Sequence, residues 1–233
     1  MTVDAPSRES GPGGDDELAS LLTSFTTLLP VDAAAASSLG KPFDVETLVA
    51  TSSRAAALDE TQIDLGEGPA WDAYRGLVPT RMRLDAPADR ERWPFLAAAP
   101  IAIGLGAVHA LPLCFGPLAI GAVSLYSVRA VRLGSDELQL AEGLTTLLGR
   151  SVVAQALAEA ENGAAVRDPA LSRREVHQAT GMVISQTGAT AADALLAIRA
   201  HAFSAGMSVR EVAAEIVARR LDFSPGTDTN DRK

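Results

Sequence analysis

Three helix-start signatures near the C-terminus constrain the fold of this chain more than any other feature. They are Ser172-Arg-Arg-Glu175, Thr190-Ala-Ala-Asp193 and Ser208-Val-Arg-Glu211, and each opens a segment of helical periodicity. In each signature the hydroxyl can accept the backbone N–H three residues on, while the carboxylate reaches back to the N–H of the first residue. The sequence therefore predicts a compact three-helix unit, separate from the rest of the chain.

The length and composition of the chain predict two domains with polar ends. Its 233 residues are 47% apolar, which is enough for two modest hydrophobic cores. Residues 1–14 and 224–233 are polar and rich in Pro and Gly, so we expect disordered tails there. Residues 164–170 are expected to be a linker. No basic segment followed by an apolar run opens the chain, so no export signal is expected.

Cysteine and histidine usage argues against a metal enzyme and for a reducing, cytoplasmic location. Cys114 is the single cysteine, and His109, His177 and His201 do not form a ligand-spaced cluster. Cys114 and His109 stand five residues apart on one predicted strand, so they point to opposite faces and cannot act as nucleophile and base. We predict no catalytic residue, no metal and no cofactor.

The charge of the chain is unevenly distributed. The net charge is −9, yet residues 167–233 carry nine cations and eight anions, so the acidic excess lies in the first part. A nearly neutral C-terminal unit binds polyanions weakly by bulk electrostatics alone. All but two of the cations are arginines, whose planar guanidinium is suited to phosphate and base-edge contacts.

The first part of the chain begins with an amphipathic helix and a hairpin. Residues 15–29 place leucines and Phe25 at the spacing of one helical face, and Pro30 ends the helix. An alanine-rich run at 33–39, a turn at 40–42 and an alternating stretch at 45–51 then predict two strands.

The segment from Pro94 to Val128 contains no charged residue, but it does not predict a membrane span. Three further prolines and four glycines would interrupt a spanning helix. The segment divides better into strands at 107–115 and 118–127 around the turn Gly116-Pro117. Strands so apolar need helices on both faces, which predicts an α+β or α/β sandwich.

A long helix is predicted from Ser135 to about Asn162, and it has two apolar seams. One seam includes Leu138, Ala141 and Leu148. The other consists of Leu140, Leu144, Leu147, Ala154 and Ala158. Two seams need two partners. The sheet or the helix at 15–29 can cover one, and the same helix of a second subunit can cover the other, which predicts a homodimer.

The C-terminal unit resembles the ANTAR family over residues 171–223. The resemblance is carried by the segments at 176–183, 192–203 and 209–217, and by helix breaks at Gly188 and Gly206. The family often has lysine where this chain has Thr180. The resemblance implies a three-helix bundle that binds hairpin loops of nascent two-hairpin leader transcripts and so prevents intrinsic termination.

Residues 15–160 resemble a GAF sensor domain of the kind that precedes ANTAR domains, with the connecting helix from residue 135 included. Matching segments lie at 65–74, 92–95, 107–113 and 118–126. Relatives often carry cysteine where this chain has Ala70. The resemblance implies an α+β protein in which a sandwich of an antiparallel sheet between helices, a GAF-type fold, precedes the helical bundle. It also implies a possible small-molecule ligand.

Candidate site residues follow from these two interpretations. Arginine and histidine can neutralise phosphates and read splayed bases, so they lead the set on the three C-terminal helices. Ala179 and Gly181 are interpreted mainly as sites of close helix packing, and Arg219 and Arg220 as partners of the last helix terminus. The candidate RNA-binding residues are Arg173, Arg174, His177, Gln178, Thr180, Gly181, Arg199, His201 and Arg210. The candidate ligand-pocket residues are Trp71, Tyr74, Trp93, Phe95 and His109.

Two alternatives stay open at the level of the sequence. Residues 208–220 also resemble the second half of a helix-turn-helix, so the chain could be a DNA-binding regulator with a GAF sensor. It could instead be a signalling module that binds a protein partner and has a vestigial pocket.

Overall fold

The computed structural model describes residues 14–162 and 173–224, which form two compact units. The predicted linker at 164–170 and nearly all of both predicted tails lie outside the described residues. The N-terminal unit contains six α-helices, a 3₁₀ turn at Pro100–Ala102 and five strands among its described residues. The C-terminal unit contains three helices. In chain order the elements are α1 (Gly14–Leu28), β1 (Ala33–Ser38), β2 (Glu46–Ala50), α2 (Ser53–Leu65), α3 (Pro69–Gly76), β3 (Thr80–Arg83), α4 (Pro87–Arg92), α5 (Pro94–Ala98), β4 (Ala107–Phe115), β5 (Leu118–Ser127), α6 (Ser135–Asn162), α7 (Arg174–Thr187), α8 (Ala191–Ala205) and α9 (Val209–Val217).

The five strands form one antiparallel sheet in the order β2-β1-β5-β4-β3. The β4–β5 hairpin pairs Ala107 with Ser127 at one end and Phe115 with Leu118 at the other. The alanine-rich strand β1 lies between β2 and β5, where its small side chains fit under the covering helices. Gly121 of β5 lies against the Ser37 carbonyl so closely that a Cβ atom would clash, which explains a glycine in the middle of a strand.

Helices cover both faces of the sheet. On one face, α1 and α6 bury Leu22, Phe25 and Leu148 against Leu111 and Leu125 of the central strands. On the other face, α2 and α3 cover the sheet with a smaller apolar cluster, made of Leu39, Ile63, Ala70 and Ala122, and with a layer of polar side chains. The predicted α+β sandwich is therefore confirmed, with an antiparallel sheet.

The uncharged segment at 94–128 is confirmed as strands rather than a span. It forms α5, the 3₁₀ turn and the hairpin β4–β5 with the predicted strand bounds. Among residues 14–162 and 173–224, no single helix is long and apolar enough to cross a membrane. Only α7 and α8 taken together reach that length and composition, and they are bent by 106° at the break between them.

The two seams of α6 differ in burial. Ala141, Leu148 and Val152 of the first seam are buried in the core. The second seam, Leu140, Leu144, Leu147, Ala154 and Ala158, is here named the α6 stripe. Its leucines at 140 and 147 are 40% and 48% exposed. On α1, Leu28 was predicted to share the buried face, and this was wrong because Leu28 is exposed at the last turn.

Candidate nucleic-acid interface

Capping defines the starts of the second and third helices of the C-terminal unit. The Thr190 hydroxyl accepts the Asp193 N–H at 3.2 Å, and the Ser208 hydroxyl accepts the Glu211 N–H at the same distance. The Ser208 N–H donates in return to Glu211 Oε2 at 2.7 Å, which completes a capping box and lowers the pKa of Glu211. The first signature differs, because Arg173 holds the N-cap position of α7 without a side-chain cap and Ser172 lies outside the described residues.

The three helices share one apolar core of small and branched side chains. Each helix contributes residues at most 3% exposed, among them Ala179 and Val183 of α7, Ile198 of α8, and Val212 and Ile216 of α9. Helices α7 and α8 end at Gly188 and Gly206, whose positive φ values of 71° and 67° belong to the left-handed region that favours glycine. The predicted breaks therefore have a backbone cause.

Four of the candidate RNA-binding residues form one exposed face of α7. Arg174, His177, Gln178 and Gly181 are all exposed and stand at positions i, i+3, i+4 and i+7 of the helix. These four residues are here named the α7 face. A Cβ atom built on Gly181 would meet nothing within 4 Å, so the interpretation of Gly181 as a helix-packing residue is wrong. Ala179, in contrast, is fully buried.

The other candidates lie away from the α7 face. Arg173, which directly precedes α7, is only 4% exposed, so unlike Arg174 it offers no exposed guanidinium to RNA. The Thr180 hydroxyl donates to the Val176 carbonyl at 2.7 Å, so the side chain is occupied within its own helix. Arg199 and His201 lie on α8, and Arg210 lies in the first turn of α9. The His201 ring meets Phe223 edge-on, with centroids 5.8 Å apart, which makes it a packing residue on that side.

The chain continues past α9 and folds back against α7. Arg219 adopts φ 58°, an unusual left-handed value for a residue with a Cβ, and the Phe223 N–H donates to Gln186 Oε1 at 3.1 Å. The Arg220 guanidinium pairs with Glu215 through two 2.7 Å hydrogen bonds. This fold-back leaves a groove of about 340 Å³, named here the C-terminal groove. It is lined by Met182, Ser185, Gln186, Arg219, Leu221 and Asp222.

The N-terminal unit has a second place where polar groups converge, on the sheet face covered by α2 and α3. It is named the polar layer and consists of Ser37, Thr47, Asp59, Gln62, Ser124 and Tyr126, all at most 2% exposed. Thr47 and Ser37 donate hydroxyls to the Asp59 carboxylate at 2.8 and 3.3 Å. Burial of Asp59 raises its pKa to about 7, against the smaller lowering effect of these hydrogen bonds. Burial also raises the pKa of Tyr126.

Gln62 connects this layer to α3. Its Nε2 donates to Ser124 and Tyr126 at 3.3 and 3.2 Å, and its Oε1 accepts the Ala70 N–H at 3.0 Å. The Trp71 indole N–H donates to the Gln62 carbonyl at 2.8 Å. Asp59 and Gln62 stand one helical turn apart on α2, and no pattern in the sequence predicts either one as a site residue.

The five candidate pocket residues are not gathered at one point. Trp71 and Tyr74 meet edge-on at 6.4 Å on α3, and Trp93 is buried beneath the Arg92 guanidinium, whereas Phe95 is 53% exposed. His109 points to the opposite sheet face from Ser124 and Tyr126. Burial, and then the nearby Arg81, lowers the pKa of His109 to about 4, which keeps its ring neutral.

Metal and thiol chemistry find little support in the described part of the chain. No group of three or more His, Cys, Asp or Glu side chains within residues 14–162 and 173–224 is arranged to hold a metal ion. Cys114 is half-buried, and burial raises the pKa of its thiol, which disfavours the reactive thiolate.

The N-terminal unit shares its fold with a signalling domain of known structure. This is a domain of a two-component sensor histidine kinase protein from Sinorhizobium meliloti 1021, with 19% sequence identity and a TM-score of 0.50. The match covers 66% of this chain and 100% of the Sinorhizobium chain. Similar structures also include the GAF domain of a phosphoenolpyruvate-protein phosphotransferase from Coxiella burnetii, with 14% identity, 66% and 89% coverage and a TM-score of 0.48. Another is the GAF domain of a two-component sensor histidine kinase from Bacillus halodurans, with 14% identity, 62% and 96% coverage and a TM-score of 0.46.

The chain thus combines an α+β sandwich with a capped helical bundle. Residues 164–217 match the ANTAR domain family. The C-terminal unit therefore carries an ANTAR domain. None of the curated proteins matches the chain in sequence.

Proposed function

We propose that this protein is a signal-responsive RNA-binding regulator that binds hairpin loops of nascent transcripts and prevents intrinsic termination. The observation that carries the proposal is the α7 face, which places a cation, an imidazole and an amide along one exposed side of an ANTAR domain. Such side chains can contact loop phosphates and splayed bases, the parts of RNA that proteins read by sequence. The protein acts in the cytoplasm and needs no catalytic group.

Two bundles acting together would compensate for their modest charge. The α6 stripe lies on a 28-residue helix and is exposed except at Leu144, which packs partly against the core. A second copy of the same helix is its simplest cover. We infer a homodimer in which α6, together with α1, forms the interface. Two linked ANTAR domains would then bind the two hairpins of one leader transcript with increased avidity.

The N-terminal unit is the sensor in this scheme. Helix α6 carries both a buried seam against the sheet and the exposed stripe, so a change in the sheet face can alter the packing of the dimer helices. The signal would be a small molecule or a partner protein acting on this unit.

A gel-shift experiment tests the RNA proposal. Full-length protein is titrated against a two-hairpin leader RNA, the same RNA with both loops replaced, and a DNA duplex of equal length. Binding of the first RNA alone is the expected result. Equal affinity for both RNAs would exclude loop recognition, and preference for the duplex would favour the DNA-binding alternative instead.

Substitutions on the α7 face test the same proposal from the protein side. Arg174→Ala with His177→Ala should abolish the preference for intact loops, whereas Arg90→Ala, an exposed arginine on α4, should leave it unchanged. Wild-type binding by the double variant would remove the α7 face from the proposal.

A further inference from the structure

Helix α6 carries a row of exposed residues that is symmetric about a central glycine and has opposite charges at its ends. The row follows alternating steps of four and three residues, and all of its members are exposed. This spacing places them along one side of a helix, as at the core positions of a coiled coil. The row, here named the outer row, consists of Asp136, Leu140, Gly143, Leu147 and Arg150.

The outer row lies on the part of α6 that its own unit leaves uncovered. Leu148 is buried against the sheet, and the Ser151 hydroxyl donates to Glu17 Oε1 of α1 at 2.8 Å, so α1 lies along one flank of α6. Leu140 and Leu147, which also belong to the α6 stripe, are 40% and 48% exposed. A second chain can therefore reach this side of the helix.

Gly143 is the residue of the outer row that most needs an explanation. A glycine inside a helix destabilises that helix relative to alanine. A Cβ atom built on Gly143 would meet nothing within 4 Å among the described residues, so packing within one chain does not account for the glycine. A missing Cβ does allow another backbone to approach closely. Gly143 therefore indicates the point at which a second helix crosses α6.

The charges of the outer row distinguish the two directions in which a second copy of α6 can pack. In a parallel pair each residue meets its own counterpart, so like charges meet at Asp136 and at Arg150. An antiparallel pair centred on Gly143 brings Asp136 opposite the partner's Arg150, since both stand seven residues from the glycine. It also brings Leu140 opposite the partner's Leu147. Charge complementarity therefore favours the antiparallel pair.

We propose that two copies of this protein pair through antiparallel α6 helices, with the backbones closest at Gly143 and an Asp136–Arg150 ion pair on each side of that point. This inference rests on the homodimer of the proposed function and adds the direction of its helices and their crossing point. The C-terminal ends of the two α6 helices then lie roughly 55 Å apart, because each helical residue adds about 1.5 Å. The two linkers thus start from separate places rather than side by side.

Single cysteines measure the direction of the helices. Leu140→Cys and Leu147→Cys are made separately in full-length protein that also carries Cys114→Ser, and one of the two bears a tag that changes its size on a gel. Co-expressed and oxidised, the two variants should form a mixed disulfide-linked dimer. Each variant alone should form little, because identical positions lie about 10 Å apart along an antiparallel pair and a disulfide needs Cα atoms within about 7 Å.

Exchange of the two end charges tests the ion pairs. Asp136→Arg and Arg150→Asp should each weaken dimerisation roughly three- to tenfold in analytical ultracentrifugation, because each places like charges opposite one another twice per dimer. The double variant restores both pairs and should return to within about twofold of the wild type. Glu142→Arg, which changes an exposed acid on another side of α6, is the matched control and should leave the dimer unchanged.

A side chain at the crossing point provides an independent measurement. Gly143→Leu should prevent dimerisation, yet circular dichroism should show no loss of helix, since nothing lies near the added Cβ within one chain. A Gly143→Leu protein that dimerises like the wild type would remove the crossing point from the proposal. A charge-exchanged double variant as weak as the single variants would remove the ion pairs.

The outcomes separate this arrangement from the proposed function. If the wild-type protein is a dimer but each cysteine variant cross-links with itself as readily as with the other, the helices are parallel. That result overturns the antiparallel arrangement and leaves the homodimer intact. If the wild-type protein stays monomeric with and without RNA, the homodimer and the arrangement fail together.

Discussion

At the residue scale, the Asp59 carboxyl group is held by hydroxyls from two strands. Thr47 of β2 and Ser37 of β1 both donate a hydrogen bond to this buried side chain. Because desolvation outweighs these bonds, the folded protein retains the Asp59 proton well above the pH at which the unfolded chain releases it. Asp59 is therefore neutral over much of the range in which ordinary aspartates are charged.

This proton predicts an unusual pH dependence of stability. The raised pKa of Asp59 makes its contribution complete below about pH 4, and that contribution declines as the pH rises to about 7. The loss is on the order of 4 kcal/mol for a shift of this size. Asp59→Asn should remove the decline, so the variant should withstand more urea than wild type at pH 8. Exposed Asp44→Asn serves as control, and equal pH profiles for wild type and Asp59→Asn would contradict the prediction.

Replacing two glycines of the C-terminal unit by alanine should change its stability in opposite directions. Gly181 lies inside α7 with open space around it, whereas Gly188 ends α7 at a positive φ. Gly181→Ala should stabilise the bundle by roughly 0.5–1 kcal/mol, because alanine has the higher helix propensity. Gly188→Ala should destabilise it, because a Cβ is strained in the left-handed region. Thermal unfolding followed by circular dichroism distinguishes the two, and changes of equal sign would refute the assignment.

At the element scale, the α7 face predicts how salt affects RNA binding. For single-stranded RNA, each neutralised phosphate contributes about −0.7 to the slope of log affinity against log salt. Arg174→Ala should make the slope shallower by about that amount. Gln178→Ala should lower the affinity but leave the slope unchanged. Fluorescence anisotropy at several salt concentrations gives both values. An unchanged slope for Arg174→Ala would show that this arginine contacts no phosphate.

The elements also show where sequence patterns were informative. Strands β4 and β5 were predicted with their observed bounds because an uncharged segment broken by Gly116-Pro117 leaves few alternatives. Helix α2 was not predicted because Asp59 and Gln62 interrupt the apolar spacing of its buried face. The C-terminal groove was not predicted for another reason. The left-handed turn that forms it occurs at Arg219, a residue type without that conformational signature.

Candidate site residues could be predicted where they lie close together in the sequence, and not where they come from separate elements. Arg174, His177, Gln178 and Gly181 share an exposed face because helical spacing alone places them there. The ligand-pocket candidates come from α3, α5 and β4, whose packing the sequence pattern does not specify. His109 lies on the opposite sheet face from the polar layer because side chains alternate along β4. Which elements meet across a sheet is a tertiary property that single-residue patterns do not encode.

At the scale of the whole molecule, the α6 stripe predicts the oligomeric state. Leu140→Glu with Leu147→Glu places charges in the proposed helix interface and should give monomers in analytical ultracentrifugation. Affinity for a two-hairpin RNA should then fall by tenfold or more, and affinity for a single hairpin should change little. Leu196→Glu, at a still more exposed leucine on α8, should leave the oligomeric state unchanged. If the wild-type protein were monomeric both with and without RNA, the proposal that the sensor unit acts through the packing of the dimer helices would be wrong.

The exposed leucines of α6 also bear on how such a regulator responds to its own abundance. If two chains must meet before either reads a transcript effectively, then at low expression the active species grows with the square of the amount of protein made. A twofold rise in synthesis would yield close to a fourfold rise in the competent form, until dimerisation saturates. The same surface would thus set an expression threshold, below which leader transcripts terminate whatever signal is present.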